Sequence, residues 1–289
     1  MTPLIIEARV NEYMMRGPNP NVPYSPAEIA RNAAECRGAG AAVVHFHARK
    51  PDGSPEHAYE SYRDTVQAIR AGSDILIHPT LGYVTLGAPA EERLSHIMRM
   101  HADGCPPDFA PMDMGSSNVD RINADGSFQT TDLVYTNSTA TLMYFAEHIR
   151  AKRMKPYLVA WNTGFTRQAG QFMRLGLLDG PAYLCFLVSE NYSIAGHPAT
   201  PRGVQAFVDF LPEDQKIEWT VCNFGGNLLK LTSGIIAMGG HLSIGLGDYL
   251  YPELGTPSNA DLIDRVVQIA RDVGRAVATP AQARTILGM

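Results

Sequence analysis

Val43-Val44-His45-Phe46-His47-Ala48-Arg49 follows the small-residue helix end Gly38-Ala39-Gly40 and leads into the turn Lys50-Pro51-Asp52-Gly53. An apolar run closed by such a turn reads as one buried β-strand. Side chains alternate along a strand, so His45, His47 and Arg49 share one face while Phe46 and Ala48 take the other. Two imidazoles and a guanidinium at the carboxyl end of a buried strand need partners, because buried polar groups are costly when unsatisfied. A lone core histidine finds a partner easily; a spaced pair aimed from one strand points to a metal.

Working outward, strand-like runs alternate with helical patterns from one end to the other. The strands are expected at Leu4–Val10, Ala42–His47, Ile75–Pro79, Phe109–Met114, Pro156–Trp161, Ala182–Val188, Glu218–Asn223 and His241–Gly247. Helix starts are marked by Ser25-Pro26-Ala27-Glu28, an N-cap with a proline at the first helical position and a capping-box glutamate. Thr200-Pro201 and Thr279-Pro280 repeat the cap-then-proline device, and Asn137-Ser138 offers a cap before Leu142–Lys152. Eight strands alternating with helices predict an α/β chain folded as a (β/α)8 TIM barrel, one domain over residues 1–289. A doubly wound open sheet would want a glycine-rich phosphate turn after its first strand, and Asn11-Glu12-Tyr13-Met14 is not one.

Composition agrees. The 289 residues are 45% hydrophobic and only 18% charged, enough for a large core. A net charge of −5, with no basic cluster interleaved by aromatics, argues against nucleic-acid binding. No signal-like N-terminus and no bilayer-length apolar run are present, so no membrane role is expected. Cys36, Cys105, Cys185 and Cys222 lack metal-ligand spacing and read as reduced thiols of a cytoplasmic enzyme.

A barrel places its active residues at strand carboxyl ends. In order these are Glu12; His45, His47 and Arg49; His78 and Thr80; Asp113 with Gly115-Ser116-Ser117-Asn118; Asn162 and Thr163; Ser189 and Glu190; Asn223; and Asp248. Ordinary loop polarity accounts for Asn162, Ser189 and Asn223. It does not account for the histidines. Catalytic zinc usually takes three protein ligands, so a third must come from a neighbouring strand. Glu12, His78 and Asp248 are the candidates.

With these pieces in place the chain resembles the beta-keto acid cleavage enzyme family. The matching stretches are Pro3-Leu4-Ile5-Ile6-Glu7-Ala8, Asn21–Ala30, the histidine strand, Pro107-Asp108-Phe109, Met114-Gly115-Ser116, Gly245-Leu246-Gly247-Asp248-Tyr249 and Ala278-Thr279-Pro280-Ala281. The resemblance implies a (β/α)8 barrel and a homotetramer. It also implies Zn2+ held by two histidines and a glutamate, and reaction of a β-keto acid with acetyl-CoA to give acetoacetate and a new CoA thioester. His45 and His47 match the family's histidines, Asp248 its aspartate, and Arg49 the arginine closing the histidine strand. The family's metal-binding glutamate falls where this chain has Gly247, and its catalytic arginine where the chain reads Gly226. The family commonly has Asn-Gly after strand one, whereas this chain has Asn11-Glu12. A carboxylate gained at the end of strand one thus accompanies one lost from the adjacent strand eight, and Glu12 is expected to replace it as metal ligand.

The expected site is therefore His45, His47 and Glu12 for the metal, Asp248 for proton movement, and Arg49 or Thr80 for orienting the substrate. Ser116, Ser117 and Asn118 would contact carboxylate or CoA groups. Two other readings stand beside it: a metal-bearing barrel that binds a keto acid or acyl-CoA without turnover, and a metal-dependent hydrolase. Hydrolase barrels carry the histidine pair on strand one and need further histidines on later strands, which is not the arrangement here.

Overall fold

The structure, a computed structural model, describes residues 1–82, 87–191 and 193–289. Among the described residues eight parallel strands form the barrel wall, and the (β/α)8 expectation is met. They are β1 (Ile6–Arg9), β2 (Val43–Phe46), β3 (Leu76–Pro79), β4 (Phe109–Asp113), β5 (Lys155–Ala160), β6 (Ala182–Ser189), β7 (Ile217–Phe224) and β8 (His241–Ile244). The helices following them in turn are α1 (Pro26–Ala39), α2 (Tyr59–Gly72), α3 (Ala90–Ala102), α4 (Thr139–Ala151), α5 (Thr163–Arg174), α6 (Pro201–Asp209), α7 (Leu229–Ala237) and α8 (Asn259–Val273), with α9 (Pro280–Leu287) at the end. None is long and apolar enough to cross a membrane.

The caps read from sequence are made. Ser25 and Glu28 form a reciprocal capping box on α1, Thr200 and Ser138 cap α6 and α4, and Thr279 caps α9. The strands run in hydrogen-bonded order from β3 through β2, β1, β8, β7, β6 and β5 to β4. The remaining seam, β3 to β4, is bridged by Asp108. Its N–H donates to the Ile77 carbonyl at 3.0 Å, and its carboxylate accepts from the Ile77 N–H at 2.7 Å. A side chain thus completes the ladder that backbone pairing leaves open. Arg70 and Arg284 hold that carboxylate in place, tying α2 and α9 to the amino-terminal face of the barrel.

The last strand is shorter than expected, because Gly245-Leu246-Gly247 turns out of the ladder. At Gly245 a Cβ would lie 2.0 Å from the Arg9 carbonyl oxygen, so only glycine lets the β8 end approach β1 this closely. A second departure is the excursion between β4 and α4, where Ser117–Asn118 pairs antiparallel with Val134–Tyr135. This hairpin stands over the mouth of the barrel.

The barrel interior is polar in its middle layer. Glu7, fully buried on β1, accepts hydrogen bonds from the Tyr157 hydroxyl at 2.5 Å, from the Ser243 hydroxyl and from His78 Nδ1 at 2.8 Å. Burial alone would raise its pKa, but these partners and the nearby Arg9 keep Glu7 ionised. One carboxylate therefore ties β1, β3, β5 and β8 together beneath the site. Arg9 pairs in register with His45, and His45 with His78, so three side chains of β1, β2 and β3 stand at one level.

Helix α3 supports the mouth through His96, whose Nε2 donates to the Thr80 carbonyl at 3.0 Å while its ring lies 4.3 Å from that of Tyr62. Burial pushes the His96 pKa down from 6.5 to about 4. The unfolded chain therefore takes up this proton more readily than the fold does. The stabilisation is complete above about pH 6.5 and is lost as pH falls towards about 4; for a fully buried ring it amounts to ~3 kcal/mol. His96→Gln keeps an N–H for Thr80 without the titration. Its urea midpoint is expected to fall less than the wild-type midpoint across that window; an equal fall in both proteins would contradict this assignment.

Candidate active site

Strand β1 ends at Arg9, and the chain turns over the mouth through Asn11 and Glu12. The Asn11 side chain pairs with the His47 backbone in both directions, accepting from its N–H and donating to its carbonyl, each at 2.9 Å. It extends the β1–β2 ladder where the backbone can no longer do so. Glu12 then adopts φ +29°, a conformation that favours glycine and costs a side-chain-bearing residue ~1–3 kcal/mol. Arg49 holds it there. Its guanidinium donates to the carbonyls of Asn11 at 3.0 Å, Met14 at 3.1 Å and Gly53 at 2.6 Å, and to that of Glu12, and lies over the Tyr24 ring.

This conformation brings the Glu12 carboxylate to both histidines. Oε1 lies 2.9 Å from His45 Nε2, and Oε2 lies 2.7 Å from His47 Nε2. Glu12, His45 and His47 are all buried, and their ligand atoms lie within 4.8 Å of one another. His45 Nδ1 is 2.9 Å from the His78 carbonyl, which accepts only if Nδ1 carries the ring proton. Burial pushes the His45 pKa down to about 4, so the ring is neutral and Nε2 is a bare lone pair. That lone pair faces a carboxylate whose own pKa the neighbouring Arg9 and histidines pull well below 4.5, against the opposing effect of burial. Lone pairs facing each other at contact distance are repulsive unless a cation lies between them, and a backbone carbonyl behind a histidine is the usual orientation device of a metal ligand. The donor set fits zinc.

A second group, Glu7, His45 and His78, is as close. There the Glu7 oxygens already accept from Tyr157, Ser243 and His78, and the His45 Nδ1 lone pair is replaced by a proton. The upper group is the better ligand set.

Arg9 joins the other acidic groups to this centre. One terminal nitrogen bonds Glu12, and Nε lies 2.9 Å from Asp248 Oδ2, although off the hydrogen-bond line. Asp248 is 3% exposed; burial, reinforced by Glu12 and opposed by Arg9, lifts its pKa to about 7. A carboxyl group in that state can both accept and return a proton near neutrality.

Gly247 and Gly226, where the resemblance leads one to expect a glutamate and an arginine, are both closely surrounded. At Gly247 a Cβ would lie 2.6 Å from Glu12 Cγ and 2.8 Å from Glu12 N, so the incoming β1 carboxylate fills the place a β8 side chain would need. At Gly226 a Cβ would lie 1.7 Å from Glu190 Oε2 and 2.7 Å from Asn223 Nδ2, so the Glu190 carboxylate occupies the space a side chain there would take. The guanidinium beside Asp248 is that of Arg9, from the neighbouring strand β1.

These groups line a cavity of about 310 Å³ at the carboxyl ends of the strands. Glu12, His45, His47, His78, Thr80 and Asp248 of the expected set line it. The Thr80 hydroxyl accepts from the Gly82 N–H, which stiffens that wall. Arg49 does not line it; its guanidinium is engaged by loop carbonyls, so it positions Glu12 rather than a substrate. Ser116, Ser117 and Asn118 do not line it either, because they lie along the hairpin edge, with the Ser116 hydroxyl bonded to the Asn137 N–H. Val119 and Arg121 reach the cavity from that hairpin instead. Sequence reasoning missed Arg9, Tyr13, Tyr135 and Trp161 as lining groups. Arg9 had a signal: with Glu7 it places charges at alternate positions of an otherwise apolar strand.

Residues 3–289 match the family model described as beta-keto acid cleavage enzyme. A 3-keto-5-aminohexanoate cleavage enzyme of Acetoanaerobium sticklandii is 31% identical, over 100% of this chain and 99% of that protein. A 3-dehydrocarnitine:acetyl-CoA trimethylamine transferase of Rhizobium meliloti is 28% identical over 91% of this chain and 89% of that one. Among solved structures, the apo structure of ObcA superposes with a TM-score of 0.74 at 16% identity, over 93% of this chain and 66% of that chain; this supports the fold. The chain belongs to the beta-keto acid cleavage enzyme family.

Proposed function

We propose that the protein cleaves a β-keto acid with acetyl-CoA, at a zinc centre held by Glu12, His45 and His47. The balance is R–CO–CH2–COO− plus CH3–CO–SCoA giving CH3–CO–CH2–COO− plus R–CO–SCoA. The carbon–carbon bond beside the keto group breaks, a new one forms to the acetyl carbon, and the thiol passes to the R–CO fragment. The observation that carries this reading is the meeting of Glu12 with both Nε2 atoms beside Arg9 and Asp248 at the barrel mouth. Relatives named as acetyl-CoA-dependent transferases of keto acids, including a 3-oxoadipate:acetyl-CoA acetyltransferase of Cupriavidus necator, favour the same reaction.

Zinc bound there would polarise the keto oxygen and stabilise enolate charge. Asp248 moves the proton of the CH2 group: it is at the mouth, buried, and titrates near neutrality. Arg9 keeps Asp248 and Glu12 apart in role, since its charge faces both and prevents them from sharing a proton. Arg49 and Asn11 fix the loop that carries Glu12. Tyr13, Leu133 and Phe224 limit water at the reacting centre. The protein is proposed to act as a cytoplasmic homotetramer.

Purified protein is expected to hold one zinc per chain and Glu12→Gly much less, whereas Gly247→Glu brings its Cβ against the Glu12 side chain and against the backbone at Glu12 N and Arg9 O. G247E is expected to be destabilised by ~1–3 kcal/mol from that clash. Full zinc retention in E12G would remove Glu12 from the metal. Asp248→Asn is expected to keep zinc and lower kcat by ~10²–10⁴, followed as acetoacetate formed from acetyl-CoA and a panel of β-keto acids. An unchanged rate would take proton transfer away from Asp248.

A further inference from the structure

A cavity of about 380 Å³ lies at the other end of the barrel, against the first residues of β4 and β5. Five cationic side chains line it. Arg150, Lys152 and Arg153 come from the end of α4, Lys155 from the first position of β5, and Arg284 from α9. Its two acidic side chains are already engaged. Asp108 accepts from Arg284, Arg70 and the Ile77 N–H, and Asp179 pairs with Arg150 at 3.1 Å. Among the described residues Lys152, Arg153 and Lys155 make no ion pair.

Two features separate this group from ordinary surface charge. Lys155 is only 8% exposed, and its ammonium donates to the Pro181 carbonyl, a neutral acceptor. Burial pushes the Lys155 pKa down to about 8, with Asp179 opposing, as a cation short of negative charge requires. Arg153 takes φ +54°, a left-handed conformation that glycine adopts without a Cβ penalty. Its N–H closes the end of α4 onto the Arg150 carbonyl at 2.9 Å. A position where glycine commonly ends a helix therefore carries a guanidinium beside the cavity.

Three unmatched cations on one cavity call for more than one negative charge. A lone carboxylate supplies one. A pyrophosphate group brings several charges and many acceptor oxygens in one compact unit, and guanidinium groups bind such oxygens bidentately. We propose that this cavity is a second ligand site, at the opposite end of the barrel from Glu12, His45 and His47, and that Lys152, Arg153 and Lys155 bind there an anion carrying a pyrophosphate group. Two sources share that chemistry, the free anion and a nucleoside diphosphate. Pro106, Pro107 and Leu177 offer apolar wall for the base of the second. The site stands independently of the reaction proposed at the mouth.

Calorimetry of the full-length protein at fixed ionic strength, with pyrophosphate, ADP and acetate as probes, tests it. Pyrophosphate and ADP are expected to bind one per chain, and acetate at least tenfold more weakly. Arg153→Gly is expected to weaken both phosphorylated probes about tenfold or more. Its melting temperature is expected to be unchanged or higher, because glycine relaxes the turn; a loss of binding is then not a loss of fold. Lys155→Gln is expected to weaken binding likewise. Pyrophosphate also ligates zinc, so Glu12→Gly is titrated in parallel and is expected to bind it as the wild type does. Tighter binding of ADP supports the nucleotide as source, and tighter binding of pyrophosphate the free anion. Three results overturn the proposal: acetate binding as well as the phosphorylated probes, binding unmoved by either Arg153→Gly or Lys155→Gln, and binding lost in Glu12→Gly. Absence of binding by both phosphorylated probes does the same.

Discussion

A carboxylate buried at the mouth of a barrel needs close polar partners, and the one on which this site depends is Glu12. Arg9 meets it on one side and the Nε2 atoms of His45 and His47 on the other. Much of the surrounding structure follows from keeping it there. The backbone at Glu12 adopts a conformation that favours glycine, which Arg49 and Asn11 stabilise by bonding the loop carbonyls and the His47 backbone. Residue 247 must lack a side chain because Glu12 occupies its space. Asp248 is lifted towards neutrality by burial and by the Glu12 charge, against the effect of Arg9, so the two carboxyl groups are electrostatically linked.

Beneath this layer Glu7 plays a scaffold role. It fastens β1 to β3, β5 and β8 through His78, Tyr157 and Ser243, and His78 in turn fixes the orientation of His45 through its carbonyl. Strand β1 therefore carries three charged side chains, Glu7, Arg9 and the following Glu12. Concentrating charge on one strand is tolerable because each charge faces an opposite one within the barrel rather than solvent on one side and apolar core on the other.

The fold was legible because barrel strands are apolar runs with turn signals behind them, and because capping residues such as Ser25, Ser138, Thr200 and Thr279 mark the helix starts locally. The histidine pair was legible for the same reason: alternation along a strand is a local property. That Glu12 and the histidines meet was legible from strand adjacency in a closed barrel, since strands one, two and eight are neighbours. Arg49 was not. A guanidinium takes whichever acceptors the loop presents, and the loop from Asn11 to Met15 presents carbonyls. Ser116, Ser117 and Asn118 were misplaced because nothing in their local sequence shows that the chain after β4 rises into a hairpin and delivers Val119 and Arg121 instead. Arg9 was hidden in a strand read mainly for its apolar content.

The central claim is that the metal ligand usually drawn from strand eight is delivered here by strand one. It is tested most directly by a crystal structure of the zinc-loaded protein with anomalous difference maps on either side of the zinc edge. The account predicts one peak per chain, bonded to a Glu12 carboxylate oxygen and to Nε2 of His45 and His47 at about 2.0–2.2 Å. A peak held instead by Glu7, His45 and His78, or one bonded to Asp248 with Glu12 turned away, would contradict it.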